Sequence, residues 1–187
     1  MDITARALWT ILHGIGFGAL YLLACTGALV ELARCYRPSV AEALTAADES
    51  FLRIYLAVMA VLAWFTVLTG AYIVYPWYRA LPPAGASLAA YPQRLLLSSP
   101  ATSGWHSLGM EWKEHVAWLV PIATTMAATL AARYGRRLSA LPILRNTLLA
   151  LLATAFLAAA IAGFSGAMLN KFAPVRGGNT IHLIHGE

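Results

Sequence analysis

Five histidines are the side chains in this sequence best suited to bind a metal or to exchange protons: His13, His106, His115, His182 and His185. Neutral imidazole is the commonest metal ligand in proteins. His13 and His115 fall inside or at the edge of long apolar stretches, where an ionisable residue usually marks a functional site. Two imidazoles on opposite sides of a porphyrin can hold a haem iron. The first chemistry to consider is therefore haem ligation.

The segment "GMEWKEHVAW", Gly109–Trp118, concentrates further ionisable groups. Glu111 and His115 are four residues apart and share one face of a helix, so Glu111 could orient His115 or accept a proton at a quinol site. Both glutamates also suit the first turn of a helix for electrostatic reasons alone. An alternative is a zinc, copper or non-haem iron site. Its candidate ligands are His106, Glu111, Glu114, His115, His182 and His185.

The elements that carry these residues are membrane-spanning helices. The 187-residue chain is 60% hydrophobic and only 11% charged, well below the charged fraction of soluble domains. Backbone groups inside a bilayer must be satisfied within the segment, which requires helices. Four apolar stretches are about long enough to span: Ala7–Val30, Ile54–Val74, Trp112–Ala132 and Leu148–Leu169. The sequence predicts one all-α domain, a four-helix transmembrane bundle with up-down-up-down topology.

The predicted helices cover about residues 5–33, 51–75, 109–133 and 144–170. A long, proline-rich connection, 76–108, joins the second and third, and "SLAAYPQRLLL" within it could lie along the membrane surface. A polar tail, 171–187, follows the fourth. Leu22–Cys25 resembles a lipoprotein cleavage box, but the surrounding run is long enough to span, so a retained helix is expected. Cys25 and Cys35 would lie about 15 Å apart on one helix, too far for a disulfide.

Basic residues set the expected orientation. Seven Lys and Arg residues flank the two short connections, against six on the opposite side, where the termini and the long connection lie. This asymmetry in short loops predicts a bacterial inner-membrane protein with both termini in the periplasm. The charge of +5 is that of basic loops, and no basic stripe suggests nucleic acid. The middle of the spans has no charges, which argues against a pump or channel.

The first and third helices run in the same direction and lie diagonally across a four-helix bundle. His13 and His115 are therefore expected at similar depth, roughly 5–8 Å below the outer interface, facing each other. Small residues of the neighbouring helices could make room for a flat ligand, namely Gly14, Gly16, Gly70 and Gly166. Aromatic residues that could wall such a site are Trp9, Trp105, Trp112, Tyr72 and Tyr75.

With His13 and His115 in these positions, the chain resembles small four-helix membrane cytochrome b subunits. The resemblance covers the four spans. It implies one haem b with His13 and His115 as axial ligands, and electron transfer at the periplasmic face. Expected partners are the bilayer, other membrane subunits, a quinone and an outer-face redox protein. Two alternatives stay open: a cofactor-free accessory or assembly subunit, and the non-haem metal site. Whether the chain is an enzyme stays open too, since no catalytic motif appears.

Overall fold

A computed structural model of the protein, which describes residues 2–37, 40 and 45–182, confirms an all-α bundle of four long helices. A short helix lies before the third long one. The helices are α1 (Ala5–Cys35), α2 (Ala46–Tyr78), α3 (Pro92–Leu97), α4 (Pro100–Ala140) and α5 (Pro142–Phe172). Each of the four long ones is sufficiently long and apolar to cross a bilayer. The chain is thus an integral membrane protein.

Three of the long helices contain π-helical segments, which are rare and are frequently found at functional sites. The segments are Leu12–Ala19 in α1, Gly70–Val74 in α2 and Trp105–Met110 in α4. Helix α4 also tightens to a 3₁₀ turn at Val116–Trp118 and ends in another at Gly135–Ala140. The three π segments lie towards one end of the bundle, where α1 begins and α2 and α5 end. We call this the histidine end.

Neighbouring helices run antiparallel, as their contacts show. His13 packs on Gly70 and Gly27 faces Tyr55, so α1 and α2 run in opposite directions. Across the diagonal, the buried Tyr21 hydroxyl of α1 lies 2.7 Å from the Thr124 hydroxyl of α4. The interior is lined by small residues that allow close approach of helices, including Cys25, Ala28, Ala63, Ala127 and Ala155, all fully buried. The outward surface is apolar, as lipid requires, with exposed Leu23, Phe65, Ile122 and Phe164.

Helix α4 begins nine residues earlier than the sequence analysis predicts, at Pro100 rather than about 109. Ser99 caps the start by accepting a hydrogen bond from the Ala101 amide, and Pro100 occupies the first turn, where proline is favoured. The ring of Trp105 stacks on Phe172 at the end of α5. Residue 105 therefore marks the level of the helix ends, and "EWKEH" lies further along α4, nearer the middle of the bundle.

The remaining connection, about 79–99, folds over the histidine end instead of leading away from it. A 3₁₀ turn, Leu88–Ala90, precedes α3. Leu96 of α3 is buried against Tyr78, Met110 and Leu169, which belong to three long helices. After α5, strand β2 (Thr180–His182) pairs antiparallel with strand β1 (Asp2–Thr4). The two strands therefore lie together at the histidine end.

Candidate functional site

His13 lies between α1 and α2, with its ring directly against the backbone of Gly70. A Cβ atom added to Gly70 would lie 2.6 Å from His13 Cε1. The Nδ1 atom is 2.9 Å from the carbonyl oxygen of Thr66. A carbonyl only accepts, so Nδ1 carries the proton and donates it to Thr66. The other nitrogen, Nε2, is left with its lone pair, the form that binds metal ions.

Lys113 of α4 points into the same part of the bundle from the diagonal helix. Its Nζ lies against Gly166 of α5, 2.7 Å from where a Cβ would be placed. Lys113 is near enough to His13 for positive charges on the two side chains to repel each other. Among the described residues its amine forms no hydrogen bond or ion pair. Two basic side chains thus rest on the glycines of neighbouring helices, without a carboxylate between them.

His115 lies on the outside of the bundle, not in its interior. Its side chain is 71% exposed and that of Glu111 is 54% exposed. The Nδ1 atom is 3.0 Å from the Glu111 carbonyl oxygen and 3.4 Å from the Glu111 carboxylate. Glu111 is therefore within reach of His115, and its orienting role stays a prediction. However, His13 and His115 have different surroundings, and the structure does not bring the two rings face to face as predicted.

The direction of His115 follows from helical spacing. Lys113 and His115 are two residues apart, which is about 200° around an α-helix, so the two side chains point to nearly opposite faces. Nine residues separate His115 from His106, which corresponds to about 13 Å along α4. An imidazole and a carboxylate therefore face outward at a depth where lipid is expected.

A second polar group fills the histidine end itself. The buried Tyr78 hydroxyl is 2.8 Å from His106 Nδ1, and Gln93 of the connection is 3.4 Å from His106 Nε2. Glu114, half-buried, lies 3.8 Å from Arg79. Both nitrogens of His106 therefore have partners within the protein. This network joins α2, α4 and the connection and stabilises the cover over the bundle.

The structure divides the other predicted site residues. Gly70 and Gly166 contact His13 and Lys113, whereas Gly14 is exposed with nothing near it and Gly16 contacts only Leu12 of its own helix. Trp112 reaches into the bundle and donates to the Ala158 carbonyl at 3.2 Å. Tyr72, predicted to wall the site, is instead 70% exposed. The glycines of α2 and α5 thus belong to the site, and those of α1 do not.

The residues of the alternative metal site are not brought together. In the described part of the chain, no three His, Cys, Asp or Glu side chains come close enough to share a metal ion. His106 is held by Tyr78 and Gln93, while Glu111 and His115 face outward. The backbone of His182 pairs with Asp2 in the sheet. His185 lies outside the described residues.

The sequence-based prediction did not place Lys113 in the interior of the bundle. The spacing of the buried residues of α4 nevertheless indicates that it lies there. Buried residues recur along α4 three or four apart, at Val120, Ala123, Ala127 and Ala131. Extending this stripe towards the start of the helix passes through 116 and 113, not through 115. The stripe of small residues therefore indicates which face of α4 is internal.

Comparison of the chain with protein-family models, with curated proteins and with solved structures finds no match. What the fold and the site define is a class: an integral membrane protein built as a four-helix bundle. Its interior holds an imidazole and an amine near one end. Any function for it must be argued from these residues.

The contact between His13 and Gly70 leads to a stability prediction. We expect Gly70→Ala to lower the stability of the bundle by about 1–3 kcal/mol, the usual cost of overpacking, because the short, anchored ring must move. The matched control is Gly14→Ala, whose Cβ would meet nothing within 4 Å. This control should be neutral or stabilising, since alanine is the better helix former. Thermal unfolding in detergent measures both, and equal midpoints would contradict the packing described here.

Proposed function

We propose that the protein is a b-type haem subunit of a membrane electron-transfer complex, in which His13 would bind the iron. The observation that carries the proposal is the hydrogen bond from His13 Nδ1 to the Thr66 carbonyl. It fixes the ring and leaves Nε2 free, which is the usual arrangement of a metal-binding histidine. His13 lies inside the bundle, where a haem would be shielded from lipid and water.

Small residues line the part of the bundle around His13. Gly70 and Gly166 leave side-chain space on α2 and α5, and that space now holds the His13 ring and the Lys113 amine. Gly109 of α4 adds a third small residue beside Ser165. A bound haem would supply one-electron redox chemistry. The protein's part is to supply the ligand nitrogen, to exclude water and to hold the ring in one orientation.

The remaining parts of the proposal concern placement and partners. The basic short loops support a bacterial inner-membrane protein whose histidine end faces the periplasm. Electrons would then pass between the quinone pool or a partner subunit and a redox protein at that face. All the described histidines lie towards this one end, so a single haem near one face, rather than a path across the membrane, is what the chain supports.

The test is a dithionite-reduced minus air-oxidised absorbance spectrum of the purified full-length chain, with iron and haem quantified on the same sample. We expect a b-type α-band and close to one haem per chain. A flat spectrum without iron, from protein expressed with sufficient haem supply, would overturn the proposal.

A second function is favoured by the outward position of Glu111 and His115. Ionisable side chains on a lipid-facing surface are costly and usually contact protein or water. A cofactor-free accessory subunit would cover them with a helix of another subunit. The spectrum separates the two proposals, because this alternative predicts no cofactor. It also predicts that a double variant, Glu111→Leu with His115→Leu, no longer copurifies with its complex.

A further inference from the structure

We infer that two copies of the chain associate side by side through the outward face of α4, with Glu111 of each copy paired with His115 of the other across a two-fold axis. The inference goes beyond the proposed function, because it holds with or without a bound haem. It names the partner of a surface that lipid does not suit. If a second copy covers this surface, no subunit of different sequence is needed to cover it.

The outward face of α4 combines apolar side chains with an ionisable pair. Its exposed apolar residues are Leu108, Leu119, Ile122 and Met126. Glu111 and His115 lie between the first two of these, and the whole set recurs at intervals of three or four residues, the spacing of one helix face. Ionisable side chains within a membrane span almost always face protein or water. This face therefore needs a cover with complementary polar groups.

The hydrogen bonds of the pair show which groups a partner would meet. His115 Nδ1 lies 3.0 Å from the Glu111 carbonyl oxygen and 3.4 Å from the Glu111 carboxylate. A carbonyl only accepts, so Nδ1 carries a hydrogen and donates it. Neither His115 Nε2 nor the Glu111 carboxylate has a further partner among the described residues. Each copy thus presents one imidazole nitrogen and one carboxylate to the outside, with side chains that are 71% and 54% exposed.

A surface with one base and one acid is complementary to itself. Two copies inserted in the same orientation are related by a two-fold axis along the membrane normal, so their α4 helices run parallel and equivalent residues face each other. Glu111 of one copy and His115 of the other are then offset by about 6 Å along the helices, the same offset that the two side chains bridge within one chain. At about 8–10 Å between the helix axes, His115 Nε2 can share a proton with the Glu111 carboxylate of the second copy. The symmetry produces two such hydrogen bonds.

Thr125 and Thr129 continue the outward face of α4 with the spacing of small residues that lets membrane helices pack closely. Both residues are exposed. Their hydroxyls donate to carbonyl oxygens of their own helix, those of Pro121 and Thr125, at 2.6 and 2.8 Å. Because these hydroxyls already have partners, a second helix can lie against them without leaving a polar group unpaired.

The experiment measures the dimerisation constant of the full-length chain in liposomes by fluorescence energy transfer between labelled copies. We expect wild type to dimerise. Glu111→His and His115→Glu each place like groups opposite each other, and each should weaken dimerisation about ten- to a hundredfold, the effect of two hydrogen bonds between membrane helices. A mixture of these two variants should form mixed dimers, because a basic face then meets an acidic one. The double variant, Glu111→His with His115→Glu, should dimerise like wild type, since it only exchanges the two groups.

Disulfide crosslinking in liposomes locates the interface while the ionisable pair stays intact. Ile122→Cys lies on the outward face of α4, and the matched control is Phe164→Cys, at an exposed apolar position of α5. We expect crosslinked dimers from Ile122→Cys and not from Phe164→Cys. The native Cys25 and Cys35 are buried, so they should not form crosslinks between copies.

Three results would overturn the inference. The first is a wild-type chain that stays monomeric in liposomes, which would leave this face of α4 to lipid or to a different subunit. The second is a dimer that crosslinks through Phe164→Cys and not through Ile122→Cys. The third is the absence of mixed dimers from two correctly folded single variants, because charge pairing would then not join the copies. If the charged variants do not fold, the crosslinking result decides. None of these results depends on haem, so this inference and the proposed function fail separately.

Discussion

We expect His13→Ala to abolish haem binding, with the Soret band and the haem content of the purified protein falling to background. His13 is an internal imidazole with one nitrogen fixed by the Thr66 carbonyl and the other free. Among the described histidines, His106 has both ring nitrogens engaged by Tyr78 and Gln93. His106 is therefore not available to replace His13. The measurement is the absorbance spectrum together with a pyridine haemochrome assay.

The matched control is His115→Ala, which removes an exposed imidazole from the diagonal helix. We expect it to keep the haem content of wild type. Thermal unfolding of both apoproteins guards against a trivial loss of fold, since His13→Ala also removes packing on Gly70. If His115→Ala loses haem and His13→Ala does not, the assignment of the ligand to the bundle interior is wrong.

The fold could be predicted because it depends on bulk properties of the chain. Hydropathy and length determine which segments span, and short connections force neighbouring helices to be antiparallel. Even the helix ends are close to prediction for α1 and α5, which begin at Ala5 and Pro142. The early start of α4 can be predicted from the sequence as well, because Ser99 and Pro100 are typical of the beginning of a helix. The sequence-based prediction placed the start of α4 later because residues 100–108 are not strongly apolar.

The direction of each side chain around its helix was harder to predict. The depth of a side chain along its helix follows from counting residues from the helix end. The direction in which it points around the helix depends also on how many residues make one turn. The π segment Trp105–Met110 alters that number between the start of α4 and His115, and one extra residue rotates everything after it by about 100°. The buried stripe from Val120 to Ala131 gives the correct face of α4 because a regular helix connects its members.

At the opposite end of the bundle, we expect Gly135→Ala to destabilise the protein strongly. Gly135 connects α4 to the turn before α5 with φ 50° and ψ −131°, a backbone conformation that only glycine adopts readily. Strain of this kind costs about 1–3 kcal/mol. The added Cβ would also overlap Glu49, which forms ion pairs with Arg53 and Arg136. A loss of about 2 kcal/mol would lower the unfolding midpoint by roughly 4–8 °C.

Two control substitutions separate the backbone strain from the overlap with Glu49. One is at Gly104 of α4, and the other is at Gly85 of the connection between α2 and α3. The Cβ added by Gly104→Ala would meet no atom within 4 Å, so this substitution should leave the unfolding midpoint unchanged. Gly85→Ala also has open space but a φ of 78°, so it should show the backbone strain alone, about 1 kcal/mol. The excess of Gly135→Ala over Gly85→Ala then measures the displacement of Glu49 from its two arginines. If the two variants have equal midpoints, Glu49 can move at no cost, and its ion pairs contribute little to closing this end of the bundle, as is common for exposed pairs.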